Sequence, residues 1–340
     1  MQRGTDVSRA AAVLAGGGLV AFPTETVYGL GADAASAAAV GRVFAAKGRP
    51  PSHPLIVHLA ADARLDDWAI DIPEAARELA RAAWPGPLTL ILRKGPRASL
   101  AATGGAATIG LRVPAHPVAQ ALLGRFGGGI AAPSANRFGA VSPTTAAHVA
   151  ADLGDAVDYL LDGGPCEVGV ESTIVDLSRG RAVLLRPGGL AREAIEPITG
   201  PLAAPDAAAP AAPGTLASHY APRAEVVAVS PDEVPAAVAA ARARGARVAV
   251  LAPAAAFAAW PDLAVRAHRL PDDAAGMARE LYAALRALDA AAEGEISPEI
   301  GGGIGREIDV VIAALPPAVG LGEAVGDRLR RAAGPRRNPS

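Results

Sequence analysis

The sequence predicts two α/β domains of unequal size. Short β-branched or leucine-rich runs bounded by Gly or Pro alternate with stretches of helical periodicity. That alternation breaks at a Pro/Ala-rich stretch, residues 199–213, and resumes beyond it. The 340 residues are 51% hydrophobic, enough for two cores at roughly 150 residues per domain.

In the first part, strands are expected at 19–22, 55–59, 88–92, 109–113, 130–132, 173–177 and 182–185. Apolar runs of that length between turn residues suit buried strands better than helix fragments. Helices are expected at 7–15, 36–46, 73–83, 117–123 and 144–151. Asp33 or Ser36 could cap the second, and Ser142 followed by Pro143 reads as the start of the fifth. The result is a twisted mixed sheet with helices over residues 1–198, its strand order left open. The stretch TGPLAAPDAAAPAAP has prolines too closely spaced for a helix. It reads as an extended linker over 199–223, which ends on the run SHYAP. Strands at 226–229, 247–251 and 310–313, with helices at 235–243, 274–292 and 322–332, make a smaller α/β domain over 224–333. The basic tail, 334–340, reads as disordered.

Composition excludes several classes. Lys+Arg 32 against Asp+Glu 34 leaves a net charge of −2, with 19% of residues charged. That excludes a wholly disordered chain and opposes a protein whose main work is to coat nucleic acid. A single cysteine, Cys166, excludes an intramolecular disulfide framework and a Cys-rich zinc site, and suits a reducing compartment. The first fifteen residues carry Arg3, Asp6 and Arg9 and do not read as a signal peptide. The mean hydropathy of +0.27 comes largely from alanine, and no run reaches the roughly 18 apolar residues of a spanning helix. A cytoplasmic protein without membrane contact is expected. No P-loop, G-x-S-x-G or H-E-x-x-H motif occurs, and the Gly-rich run at 301–305 does not fit G-x-G-x-x-G because position 306 is Arg.

What remains is a set of polar loops at strand ends. FPTETVYGLG, 22–31, holds two threonines, a glutamate and a tyrosine. Lys47 and Arg49 lie where a helix should end. They either complement its C-terminus or clamp a phosphate, Lys as a point charge and Arg as a fork. Arg112 lies inside an apolar strand, so it needs a carboxylate partner from protein or ligand. Small residues at 131–136, Ser142, and VESTIVD at 170–176 leading to Arg186 complete the set. Cations and hydroxyls at strand ends fit an anionic small molecule, and a nucleotide better than most.

FPTETVYGLG, AAKGRPPSHPLIVHL, WPGPLTLIL, TIGLRVPAHP, APSAN, VESTIVD and LLRPGG, in that order, resemble the YrdC-like family. SHYAP and the smaller, Rossmann-like domain resemble its two-domain threonylcarbamoyl-AMP synthase branch, over roughly residues 5–333. The segment 293–307 looks longer than the family's usual connection. The resemblance implies a reaction. L-threonine and bicarbonate or CO2 form a carbamate whose oxygen attacks the α-phosphorus of ATP, giving threonylcarbamoyl-AMP and pyrophosphate. It implies Lys47, Arg49, Ser134 and Asn136 as the catalytic phosphate-binding set. It implies Arg49, His53, Thr108, Ser134, Ser142, Arg186 and Tyr220 around ATP. Around L-threonine it implies Thr26, His58, Arg112, Ala132 and Ser172, with Arg112 gripping the carboxylate. Magnesium would accompany ATP, held largely by phosphates and water. The product would pass to a transferase that modifies adenosine next to the tRNA anticodon. A carbamoyl-adenylating role in hydrogenase maturation is opposed by the single cysteine. An RNA-binding or ribosome-assembly role is opposed by the −2 charge and few aromatics, so no stable nucleic-acid binding is expected.

Overall fold

The computed structural model describes residues 1–215, 220–263, 265–290 and 308–334. The segment 293–307, the tail beyond 334, and Ser218 and His219 of SHYAP lie outside them. The chain forms two compact units, Met1–Phe138 with Ser142–Thr215, and Gly139–Val141 with Leu216–Ser340.

The first unit is built on an eleven-stranded sheet. Its strands are β1 (Gln2–Gly4), β2 (Val20–Phe22), β3 (Gly29–Asp33), β4 (Ile56–His58), β5 (Ala69–Ile70), β6 (Leu88–Lys94), β7 (Thr108–Arg112), β8 (Ile130–Ala131), β9 (Tyr159–Leu161), β10 (Thr173–Asp176) and β11 (Val183–Arg186). Helices are α1 (Val7–Ala15), α2 (Ala37–Lys47), α3 (Glu74–Ala83), α4 (Pro117–Phe126), α5 (Ala146–Leu153) and α6 (Arg192–Thr199). The order is β1-β9-β2-β3-β8-β4-β7-β6-β10-β11, with β5 beside β6. Parallel pairs such as β4–β7 and β6–β10 adjoin antiparallel ones such as β4–β8 and β6–β7. The sheet is mixed, as the sequence predicts.

Alternation along β7 separates core from site. Side chains in a strand point alternately to opposite faces. Ile109 and Leu111 join the main core with Val57, Leu90, Leu92 and Val175. Thr108, Gly110 and Arg112 therefore lie on the other face. There Ile56 is paired in register with Gly110, and His58 with Arg112. Ile91 lies opposite Gly110 on the β6 side. Ile56, Ile91, Ile174, Val183 and Leu185 form a small separate cluster.

Several elements escape the sequence reading for identifiable reasons. β3 is rich in glycine and reads as a turn. A Cβ on Gly31 would lie 2.6 Å from Ile130 Cγ2 and 2.8 Å from the Phe22 ring, so close packing, not turning, requires that glycine. β1, β5 and β9 are too short to show a period, and α6 contains Pro197. Ser36 caps α2 by accepting from the Ala39 N–H at 3.2 Å. Ser142 does not start α5; Thr145 does, accepting from the His148 N–H at 3.2 Å.

The Pro/Ala stretch is not a free tether. Ala203 bridges to Val183, and Leu184 N–H donates to its carbonyl at 3.0 Å. Asp206 accepts from Arg179 Nη1 at 2.9 Å and pairs with Arg181. Ala209 and Ala212 pack on the cluster around Ile56 and Ile174. Proline bars a helix here, but the extended chain finds open backbone groups on edge strand β11.

The second unit has β12 (Glu225–Val229), β13 (Val248–Pro253), β14 (Arg266–Leu270) and β15 (Val310–Ala314), with α7 (Val234–Ala243), α8 (Ala274–Ala290) and α9 (Leu321–Ala332). The order is β12-β15-β13-β14 and every pair is parallel, which requires crossover connections. Charged RAHRL hides β14, an edge strand. Val238, Val250 and Ile312 are in its core. Among the described residues no helix is long and apolar enough to cross a membrane.

Candidate functional site

One end of the site is built where α2 stops. Gly48 adopts the left-handed conformation, φ 63°, which ends the helix between the two cations. Both are buried. Lys47 Nζ donates to the Ser134 carbonyl at 2.5 Å and to the Asn136 carbonyl. Its bonds reach the 134–136 loop, not the carbonyls of its own helix. That loop is pinned by a bridge between Ser134 and Gly29 and by Ala135 N–H donating to the Tyr28 carbonyl at 2.8 Å. Arg49 Nη2 donates to the Pro54 carbonyl at 2.9 Å, and its guanidinium lies 5.9 Å from the Phe138 ring centroid. The His53 ring lies 5.6 Å from the same ring. Burial, and next the neighbouring Arg49 charge, hold the Lys47 ammonium well below its usual pKa. An anion bound here would favour the charged form that burial disfavours.

The other end centres on Arg112. Its Nη2 is 2.7 Å from Glu25 Oε1, and both side chains are under one-tenth exposed. Its Nε donates to the Gly86 carbonyl at 3.3 Å. The burial of Arg112 is thus answered by a protein carboxylate that the sequence reading did not single out. Glu25 Oε2 also accepts from Ala115 N–H at 3.0 Å. His58, beside Arg112 in register, has its pKa pushed down to about 3 by burial and then by the Arg112 charge. It is neutral across the working range and meets the Phe22 ring edge-on at 5.9 Å. Thr26 is fully buried, 2.8 Å from Thr24 Oγ1. Thr24 spends its hydroxyl proton on the Val27 carbonyl at 2.6 Å, so Thr26 donates to Thr24 and keeps only lone pairs for a ligand. Ala132 N–H donates to the Ile56 carbonyl at 2.9 Å, which binds the 132–136 loop to β4.

Along the sheet, Leu90 pairs with Leu111, which sets Thr89 beside Arg112. Ser172 Oγ lies 2.8 Å from Thr89 Oγ1. Arg186 Nη2 donates to the Ser172 carbonyl at 2.8 Å, and its Nη1 to the Pro213 carbonyl at 2.9 Å. Ser142 Oγ donates to Glu171 Oε1 at 2.6 Å, both buried. Thr108 opens β7, on the face that carries Arg112. The candidates therefore run along a sheet face as well as at its strand ends.

Tyr220 is the exception. It belongs to the second unit, buried, with a left-handed φ of 61°. Its ring stacks on Tyr282 at 5.7 Å and lies 5.1 Å from the Arg328 guanidinium.

Glu25, Thr89, Phe138 and Glu171 were missed by sequence reasoning. A polar Thr89 at an alternate position of an apolar strand and a lone buried Arg112 were the available signals; nothing marked Phe138. A cavity of about 630 Å³ in the second unit, lined by Arg223, Glu225, Arg247 and Asp309 among others, holds none of the candidates. Among the described residues no three His, Cys, Asp or Glu side chains gather as a metal site.

The family described as "Telomere recombination" matches residues 12–188, and "Threonylcarbamoyl-AMP synthase, C-terminal domain" matches 190–334. The chain is 40% identical to the threonylcarbamoyl-AMP synthase of Pyrococcus abyssi, over 96% of this chain and 93% of the other. It is 40% identical to that of Bacillus subtilis, over 97% and 93% respectively. The crystal structure of P. abyssi Sua5 complexed with L-threonine superposes with a TM-score of 0.86 at 38% identity, covering 98% of this chain and 96% of that one. With both matches spanning nearly its whole length, the chain belongs to the threonylcarbamoyl-AMP synthase family, in its two-domain form.

Proposed function

We propose that the polar face of the first unit's sheet binds ATP and L-threonine side by side and makes threonylcarbamoyl-AMP there. One observation carries this reading. A single strand face bears Thr108, then Gly110 with no side chain, then Arg112, flanked by Ile56 and His58 in register. A Cβ on Gly110 would already meet Ile91 Cδ1 at 3.1 Å, so glycine leaves a smooth apolar floor between two polar ends.

Lys47, Arg49, Ser134 and Asn136 serve the phosphates, with His53, Thr108, Ser142 and Arg186 around the rest of the nucleotide. Thr26, His58, Arg112, Ala132 and Ser172 serve threonine. The threonine ammonium loses a proton, and the free amine and bicarbonate give the carbamate and water. A carbamate oxygen bonds to the α-phosphorus as the bond to pyrophosphate breaks. Such a transfer needs positioned cations more than covalent help from the protein. Lys47, already tied to the 134–136 loop, holds that loop and its own charge in one place. Magnesium would arrive with the nucleotide on phosphate oxygens and water. No step is assigned to a protein-held ion. The product would pass to a tRNA-modifying transferase.

Incubation with ATP, L-threonine and bicarbonate, followed by mass detection of the adenylate, tests the reading. Pyrophosphate release that requires both threonine and bicarbonate is expected. Release indifferent to threonine would overturn it.

A further inference from the structure

We propose that Glu25 is a specificity-determining residue: with Thr26 it receives the α-ammonium of the substrate, while Arg112 takes the carboxylate. The inference rests on the reading above that Arg112 holds the substrate's carboxylate.

Hydrogen-bond inventory at three side chains supports it. Arg112 donates Nε to the Gly86 carbonyl and sets Nη2 2.7 Å from Glu25 Oε1 as an ion pair, without the alignment of a hydrogen bond. Among the described residues its Nη1 has no partner, and this arm is left for a ligand oxygen. Glu25 turns Oε1 to the Arg112 charge, where it accepts no hydrogen bond, and accepts Ala115 N–H on Oε2. A carboxylate oxygen has two acceptor positions, so Oε1 keeps both and Oε2 keeps one. Thr26, its hydroxyl proton given to Thr24, can only accept. Glu25 thus offers lone pairs beside the Arg112 guanidinium, and Thr26, the next residue and also buried, offers its own.

That pattern suits an α-amino acid, whose opposite charges sit on the two substituents of one carbon. A carboxylic acid without the amine would leave Glu25 and Thr26 with unmet acceptors. Stability alone does not explain the pair. Burying two charges costs several kcal/mol that their attraction often only offsets, and apolar replacements are frequently as stable. A pair whose halves each match half of a zwitterion has a functional reason to be buried.

The test is calorimetric binding to the full chain. The ligands are L-threonine, ATP, and 2,3-dihydroxybutanoate of the same configuration, in which a hydroxyl replaces the amine. Glu25→Gln keeps the shape and removes the charge. We expect it to weaken L-threonine roughly 30-fold, bringing it toward the analogue, while the analogue and ATP keep their affinities. Equal weakening of both acids would mean that Glu25 only props Arg112, and would overturn the assignment; so would unchanged preference for threonine. Arg112→Ala separates the two readings. If it leaves both acids bound, the carboxylate reading fails. If it releases both while Glu25→Gln still discriminates, only the Glu25 assignment fails. Should Glu25→Gln not fold, Glu25→Asp keeps the charge on a shorter arm. It must then weaken threonine and spare the analogue; equal weakening overturns the proposal.

Discussion

The interiors of the two units differ in kind. Among the described residues the first buries Glu25, Lys47, Arg49, Arg112, Glu171, Asp176 and Arg186, with a neutral His58, whereas Arg328 is the buried charged side chain of the second. Both are α/β sheets with helices, and both bury leucine, valine, isoleucine and alanine. An aliphatic core suffices to hold such a sheet, as the second unit shows around Val250 and Ile312. Interior charges in the first are therefore not a requirement of the architecture. They are costly; apart from Asp176, bonded to Ser178 and Arg179, they lie along one sheet face and its adjoining loops, where the proposed ligands are charged. On the proposed reading, the difference separates what folds the chain from what it works with.

Arg112→Ala is the most severe way to break this contrast. It removes the proposed carboxylate grip and strands Glu25. The threonine requirement should rise about 100-fold or more, with the ATP requirement unchanged, in pyrophosphate-release assays. Equal increases in both would dissolve the division of the site into two ends.

Arg49→Lys keeps the charge and loses the planar fork. Turnover should fall on the order of a hundredfold, and stabilisation by ATP on melting should shrink with it. Near-normal turnover would return Arg49 to a packing role.

His58 sharpens the contrast through pH. Its pKa falls from 6.5 to about 3 on folding, so between those values the unfolded chain binds more protons there than the folded one. Stability should decline as pH drops through that window. Melting profiles of His58→Asn should show a shallower decline. An identical slope would mean that other groups carry the acid sensitivity.

In the second unit, Ile312→Ala empties part of an apolar core and should cost about 2–5 kcal/mol of stability. Pyrophosphate release per folded molecule should change little. A large loss of turnover in properly folded protein would show that this core serves the chemistry directly.

The smallest effect is expected at Asp206. Its contacts with Arg179 and Arg181 are largely exposed, and such pairs contribute about 0–1 kcal/mol. Asp206→Ala should shift melting by little in water and by less still in high salt. A drop of several kcal/mol would mean that this clasp holds the Pro/Ala stretch on β11 almost alone.

Local pattern by itself determined much of this chain. Gly- and Pro-bounded runs marked β4, β6, β7, β10 and β11, because strand length and residue type are properties of a few neighbours. The loops holding Lys47, Arg49, Ser134 and Asn136 were visible for the same reason: polar and cationic residues stood at the ends of apolar runs. A period of two even carried the site face, since Thr108, Gly110 and Arg112 occupy alternate positions of one strand. Partnership was not visible. Arg112 demanded a carboxylate, but Glu25 lies in a loop far away in sequence, and distance along the chain says nothing about distance in space. Gly31 looked like a turn until Phe22 and Ile130 closed on it. The Pro/Ala stretch looked like a tether until β11 offered it backbone partners. Tertiary structure decided these because each depends on which distant surfaces meet, and one strand's own residues do not record its neighbours.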